Sequence, residues 1–256
     1  MRHLSLVLLC LVALSNRAWS ADVTVAYAAN LDPVMPELVR TFKSLTGYTA
    51  QTVMGASGKL YMQIKNGAPY DVFLSADTDY PARLWQEDQL TAGPPIIYAY
   101  NALVLWVHDA PKQKDIPNIL SSPTIKKIAI ANPKLAPYGK AAVDYLKKTG
   151  LLSKVNHKIV YADSIAQTAM YLLKSVAEAG FITESLVCAP NFQQQGWWQI
   201  LDAPLQPQAM VRLKSKADLA TQAWMGFMQS NEAQAIMLKF GYLMSDEQNR
   251  SQHCGS

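Results

Sequence analysis

The sequence predicts an α/β protein with two lobes, each a mixed sheet flanked by helices, and a ligand cleft between them. Strands and helices alternate three times near the N-terminus, which is typical of a doubly wound sheet. The apolar run 96–107 is longer than a typical strand and suits a connection between lobes. Four loops that each join a strand to a helix fall two before this run and two after it, which indicates a cleft at the strand ends.

The first half of the chain begins with a near-continuous apolar strand, VTVAYA. The helix after it has Leu38, Phe42 and Leu45 on one face. Because Pro36 would break a helix already under way, the regular part of this helix is expected to begin close to Pro33. Two further strands, at 48–53 and 71–75, lead into helices that begin near residues 57 and 77.

The second half repeats the pattern after the apolar run. The segment 203–211 contains two prolines and is predicted to be a second connection between the lobes. Trp197 and Trp198 are adjacent and cannot both face one core, so at least one is expected at a lobe edge. The other predicted strands are 125–131, 158–161 and 180–183, and the predicted helices are 140–148, 165–177, 217–228 and 233–240.

The first twenty residues have the pattern of a cleavable signal peptide. A short basic start precedes the apolar core LSLVLLCLVAL, and small residues precede a cleavage site after Ser20. The apolar run is too short to span a bilayer, and cleavage leaves 236 residues, enough for two lobes. We expect residues 1–20 to be the signal peptide, 21–100 plus 207–256 to form lobe I, and 101–206 to form lobe II.

Charge and cysteine content exclude some functions. Loss of Arg2 and Arg17 with the signal peptide lowers the net charge from +4 to +2, and no block of basic residues suggests nucleic acid. Only Cys188 and Cys254 remain after cleavage. In an oxidising compartment they could pair, or they could stay as two thiols, and their spacing does not decide between these outcomes.

Ser57 is the one candidate nucleophile, in the small-residue turn GASGK. This setting differs from the G-x-S-x-G nucleophile turn, and a nucleophilic serine also needs a base. His108 and His157 each fit an ordinary position at a strand or helix edge, and no spacing of His or Cys predicts a metal site. The sequence therefore predicts a protein that is not an enzyme, with a Ser57-dependent hydrolase as the alternative.

Anion binding fits the four loops better. They lie at 28–30, 55–58, 137–139 and 163–165, and each leaves unpaired backbone N–H groups at a helix start. Taken singly, Asn30, Ser57 and Asp163 would be ordinary helix caps, and Lys59 and Lys140 ordinary solvated side chains. The four loops together predict that several helix starts converge on one anion.

The segments VTVAYAAN, GASGKLYMQIKNGAPYDVFLSAD and IAIANPKLAPYGKAAVDYLKKTG resemble the periplasmic molybdate-binding proteins of ABC importers. The resemblance extends from Val23 to Gly241 and implies a class II periplasmic binding fold. It also implies a periplasmic monomer that binds molybdate or tungstate and passes it to a membrane permease, without a cofactor and without direct protein ligands to the metal. Sulfate, phosphate and ferric ion are the alternative ligands, of which ferric ion lacks the clustered tyrosines it usually needs.

The resemblance also implies which residues hold the oxyanion. Carried over position by position, they are Ala29, Asn30, Ser57, Tyr138 and, through its backbone, Ile165. Many members have Ser at the position of Asn30 and a Tyr at that of Thr183, so the resemblance leaves Thr183 open as a ligand. Asp163 lies near this site, and we expect it to cap its helix and point away from the ligand.

Overall fold

The computed structural model describes residues 21–109, 111, 114–193, 195–214 and 218–245. The predicted signal peptide and Cys254 lie outside these ranges. Cys188 is buried and disulfide-bonded. Within the described ranges, no helix is both long enough and apolar enough to cross a membrane.

Ten strands form two five-stranded mixed sheets within the described ranges. The first sheet has the order β2-β1-β3-β10-β4, with β1 to β3 parallel and β10 antiparallel to both its neighbours. The second has the order β7-β6-β8-β5-β9, with β6 parallel to β7 and β8, and β5 antiparallel to β8 and β9. The strands are β1 Val23–Ala28, β2 Ala50–Gly55, β3 Val72–Leu74, β4 Ile96–Asn101, β5 Leu103–Val107, β6 Ile128–Ala131, β7 Ile159–Ala162, β8 Ala179–Thr183, β9 Trp197–Ile200 and β10 Gln206–Arg212.

Helices flank both sheets, which confirms the predicted fold class. They are α1 Met35–Thr46, α2 Ser57–Lys65, α3 Asp79–Gln86, α4 Ile116–Ser121, α5 Pro137–Lys148, α6 Leu152–Val155, α7 Ile165–Leu173, α8 Glu184–Val187, α9 Pro190–Gln193, α10 Leu219–Phe227 and α11 Asn231–Lys239. Two 3-10 turns occupy Ala29–Leu31 and Asn156–Lys158.

Two segments pass between the sheets. The apolar run 96–107, predicted as one long strand, is in fact two strands, β4 and β5, which lie in different sheets with Ala102 between them. The chain returns to the first sheet between β9 and β10, which lies in the middle of that sheet. Both adjacent tryptophans lie on β9, an edge strand of the second sheet. Because β10 lies between β3 and β4, residues 206–212 belong to the middle of the first sheet.

The helix α1 shows how the sequence pattern translates into packing. A 3-10 turn follows β1, and α1 begins at Met35 with Pro36 in its first turn, where a missing N–H costs nothing. Phe42 is fully buried, and its ring packs edge-on against that of Trp224 with the two ring centroids 4.8 Å apart. Leu45, predicted on the same buried face, is 57% exposed, because the last turn of α1 extends beyond the core.

At Gly139, α5 packs closely on the second sheet. A Cβ at this position would overlap the carbonyl oxygen of Ala131 at the end of β6. We expect Gly139→Ala to lower the free energy of unfolding by about 1–3 kcal/mol through this overlap. Gly226→Ala, in α10 with open space around it, should raise it by about 0.5–1 kcal/mol. Urea unfolding measures both, and a tolerated Gly139→Ala would contradict the close approach.

Asp77, just before α3, gives the stability a dependence on pH. Burial raises the pKa of this carboxyl from 3.8 to about 6, although it accepts hydrogen bonds from Ser75 Oγ and the Tyr80 N–H. The folded protein therefore favours the neutral acid. The free energy of unfolding falls as pH rises from the unperturbed pKa of 3.8 through the folded value of about 6, because the buried carboxyl must ionise.

We expect Asp77→Asn, which keeps an acceptor oxygen without the charge, to be more stable than the unsubstituted protein by about 2–3 kcal/mol at about pH 8. The difference should shrink toward about pH 3, below the unperturbed pKa of 3.8, where the carboxyl is largely protonated in both folded and unfolded protein. Urea unfolding at the two pH values measures it. An equal gain at both would show that the charge is not the cause.

Candidate functional site

The four predicted loops meet at one small cavity between the two sheets. All five residues that the sequence singled out line it. The lining residues are Ala28, Ala29, Asn30, Ala56, Ser57, Ala76, Ala136, Pro137, Tyr138 and Ile165. None of these side chains carries a formal charge at neutral pH. The cavity wall is therefore made of small apolar groups, neutral polar groups and backbone.

Two helix starts come from the first sheet. Ala29 and Asn30 lie in the 3-10 turn after β1, and Ser57 is the first residue of α2 after β2. The Ser57 side chain does not cap its own helix; its Oγ accepts the N–H of Ala76 at 3.1 Å. The hydroxyl proton of Ser57 therefore remains available to an acceptor in the cavity.

Two further helix starts come from the second sheet. Tyr138 is the second residue of α5, after Pro137, and Ile165 is the first residue of α7. The cap of α7 is Ser164, whose Oγ accepts the N–H of Gln167 at 3.2 Å. The prediction that Asp163 caps this helix is therefore wrong. Its carboxylate is exposed and pairs with the Lys59 ammonium at 2.8 Å.

Asn30 is held by side chains from distant parts of the chain. Its Nδ2 donates to Gln208 Oε1 at 2.9 Å and to Tyr242 Oη at 3.0 Å, which uses both amide protons. Its Oδ1 is buried and has no hydrogen-bond partner among the described residues. The backbone N–H, at the start of the 3-10 turn, is thus the donor that Asn30 can offer to a ligand.

Tyr138 keeps its proton and can donate it. Burial raises the pKa of its hydroxyl well above 10, so the phenol stays neutral. Its oxygen accepts a hydrogen bond from Gln208 Nε2 at 3.0 Å, and the phenol proton is left for another acceptor. The same burial raises the pKa of Tyr98 and Tyr242, whose hydroxyls belong to the same network.

The lobes contact each other around the cavity. The Gly58 N–H donates to the Leu135 carbonyl oxygen at 2.8 Å, and Tyr80 Oη lies 3.4 Å from the Lys134 carbonyl oxygen. The Lys59–Asp163 ion pair also joins α2 to the loop before α7. These contacts bring the helix starts of both sheets together, and the conformation is closed.

Among the described residues, Ser57 has no base for nucleophilic catalysis. Within the part of the chain that the structure describes, no imidazole or carboxylate hydrogen-bonds to Ser57, and no three His, Cys, Asp or Glu side chains cluster as a metal site. Thr183 is buried, caps α8 by accepting the Leu186 N–H and bonds to Ser185 Oγ. Its hydroxyl is therefore engaged within the protein.

Gln208, Tyr98 and Tyr242 are the site residues that sequence reasoning missed. Gln208 lies in the segment predicted only as a connection, and Tyr242 follows the last helix. They are 178 and 212 positions from Asn30, and no local pattern links them to it. The position of β10 in the first sheet brings Gln208 against Asn30 and Tyr138, which line the cavity.

Comparisons with known proteins show which chains this one resembles. The chain is 36% identical over 233 residues to the molybdate-binding protein ModA of Azotobacter vinelandii, an alignment that spans 90% of this chain and 92% of that protein. It is 33% identical over 234 residues to ModA of Rhodobacter capsulatus, with 91% and 92% spanned. The solved structure of the periplasmic molybdate-binding protein of Azotobacter vinelandii superposes with a TM-score of 0.81 at 30% identity, spanning 88% of this chain and all of that one.

The family model for bacterial extracellular solute-binding proteins matches residues 23–243, almost the whole described chain. Members of this family bind solutes and are not enzymes, which confirms the prediction made from the lack of a base beside Ser57. The match also confirms the resemblance found in the three sequence segments. The chain belongs to the bacterial extracellular solute-binding protein family.

Proposed function

We propose that this protein binds molybdate, and tungstate as well, between its two lobes and delivers it to the permease of an ABC importer. The observation that carries the proposal is the meeting of four helix starts from two sheets at one uncharged cavity. The two molybdate-binding relatives support the choice of ligand. The protein would act in the periplasm as a monomer, after cleavage following Ser20.

Neutral donors can hold such an anion. Two lysines in the first turns of α2 and α5 are paired with carboxylates, Lys59 with Asp163 and Lys140 with Asp144, both at 2.8 Å. Hydrogen bonds to a charged partner contribute roughly 1.5–3 kcal/mol each, so six to eight would supply about 10–20 kcal/mol against the cost of dehydration. The helix starts add favourable dipoles that strengthen in a buried site.

The proposed donors are the backbone N–H groups of Ala29, Asn30, Ser57, Tyr138 and Ile165, with the hydroxyls of Ser57 and Tyr138. A site with donors only favours a fully deprotonated tetrahedral oxyanion, whereas phosphate at neutral pH carries a proton that needs an acceptor. Sulfate meets the charge requirement, so cavity size would have to exclude it. Molybdate and tungstate are nearly equal in size and should bind alike.

We propose that ligand release opens the lobes about the two connections. Residues 21–100 with 207–256 would move as one lobe and 101–206 as the other. The bends would lie at Ala102, between β4 and β5, and in the segment between β9 and β10. Small-angle scattering with and without molybdate tests the motion, and identical profiles would count against it.

Calorimetric titration with molybdate, tungstate, sulfate and phosphate tests the proposed ligand directly. Tight binding of the first two, with the others much weaker, is the expected result. Sulfate binding as tight as molybdate binding would contradict the proposal. Phosphate as the tightest ligand would show that the cavity offers an acceptor.

We expect Ser57→Ala to weaken molybdate binding by about tenfold or more, because a charge-assisted hydrogen bond is lost while the helix start stays in place. Ser230→Ala is the matched control. Ser230 caps α11 by accepting the Ala233 N–H, so its loss should lower stability without changing affinity. Titration of both variants measures the effect, and an unchanged affinity for Ser57→Ala would show that its hydroxyl does not reach the ligand.

We expect Gly58→Ala to weaken binding by about tenfold or more because it obstructs closure. Its Cβ would lie 2.6 Å from Tyr80 Oη and 2.9 Å from the Leu135 carbonyl oxygen, and Leu135 belongs to the other lobe. The ligand-free variant should unfold at a nearly unchanged temperature, since an open protein does not make the Leu135 contact and the Tyr80 hydroxyl, at the far end of a side chain in the same lobe, can shift. Gly93→Ala, with open space around it, is the control. Normal affinity for Gly58→Ala would mean that binding does not require this approach of the lobes.

A further inference from the structure

Gln208 connects two of the proposed ligand residues, one from each sheet. It lies on β10 in the first sheet, and its side chain is fully buried. Its Oε1 accepts from Asn30 Nδ2 and lies 2.9 Å from Tyr98 Oη, and its Nε2 donates to Tyr138 Oη at 3.0 Å. A buried amide with defined partners on both its oxygen and its nitrogen can fix the direction of the hydrogen bonds around it.

The direction of these bonds follows from Tyr242. Its one proton goes to the carbonyl oxygen of Asn30, at 2.9 Å, so its oxygen can only accept. Asn30 must therefore turn its Nδ2 toward Tyr242, and the second Nδ2 proton then points at Gln208. Gln208 must present Oε1 there, which places Nε2 against Tyr138. Tyr138 accepts this bond and keeps its own proton for the cavity.

We propose that Gln208 is a positioning and specificity-determining residue that holds the Tyr138 hydroxyl as a donor toward the bound oxyanion. An acceptor in place of Nε2 would take the Tyr138 proton and turn a lone pair toward the ligand. The site would then lose a donor to molybdate and gain an acceptor suited to a protonated anion such as phosphate. This inference rests on the proposed function of the same cavity.

Gln208→Glu tests the inference with almost no change of shape. The ionised carboxylate accepts only and would draw the Tyr138 proton to itself. The neutral acid has one acceptor oxygen and one donor O–H, so it can reproduce the bonds of the amide. Burial raises the pKa of a carboxyl by several units, which places this change within an accessible range.

We expect Gln208→Glu to bind molybdate at least about thirtyfold more weakly than the unsubstituted protein at about pH 8.5, and within about threefold of it at about pH 5.5. The groups around position 208 are the Tyr98, Tyr138 and Tyr242 hydroxyls, with Asp77 near Tyr98 and Glu184 near Tyr138. Because Asp77 titrates near pH 6, each variant is compared with the unsubstituted protein at the same pH. A loss that is equal at both pH values would overturn the inference.

Tyr138→Phe separates positioning from simple charge repulsion. If Gln208 acts through Tyr138, Gln208→Glu should weaken binding at high pH by a clearly smaller factor in the Tyr138→Phe background, since the donor is already gone. The same factor in both backgrounds would mean that only the added charge matters and would overturn the inference. The ratio of phosphate to molybdate affinity should also rise in Gln208→Glu, and an unchanged ratio would count against a role in specificity.

Gln206→Glu is the matched control on the same strand. Gln206 is half-buried, and its amide donates to the Pro204 carbonyl oxygen instead of to Tyr138. Its replacement should leave molybdate affinity unchanged at both pH values. If the unsubstituted protein itself fails to bind molybdate, the proposed function is wrong; if it binds and Gln208→Glu behaves like Gln206→Glu, only the role of Gln208 is wrong.

Discussion

The first N–H groups of a helix have no partner inside that helix, and this constraint organises the whole molecule. The parallel strands β1 and β2 in one sheet and β6 and β7 in the other each end at such a helix or turn start. Because parallel strands end at the same edge, the unpaired donors of each sheet gather in one place. Closure of the two sheets on each other makes one site from four ordinary turns.

The absence of a fixed charge in the cavity lining has a physical advantage. A buried cation would need the ligand as its partner and would be left unpaired whenever the cleft is empty. Backbone N–H groups at an open cleft can be satisfied by water, so the ligand-free protein bears little cost. Lys59 and Lys140, near the starts of α2 and α5, are instead paired with carboxylates, and the Lys59–Asp163 pair joins α2 to the loop before α7.

The sequence predicted those parts of the site that depend on short segments. Strand, small-residue turn and helix follow one another within about ten residues around Ser57. The sequence predicts this arrangement because its geometry is local. The hydrogen-bond partners of the side chains could not be predicted from the sequence. Ser57 bonds to Ala76, which follows β3, instead of capping α2. Ser164 caps α7 through Gln167, while Asp163 pairs with Lys59 on α2.

The same limit explains why Gln208 escaped prediction and why it matters. Its amide contacts Asn30 in the first lobe and Tyr138 in the second, so its two bonds can exist together only in the closed conformation. In the proposed opening, Gln208 Nε2 would lose the Tyr138 acceptor in a buried place, at a cost comparable to that of a hydrogen bond. Under the proposed function, the bond that directs the Tyr138 proton toward the anion would also stabilise closure. Recognition of the anion and movement of the lobes would then depend on one side chain of β10.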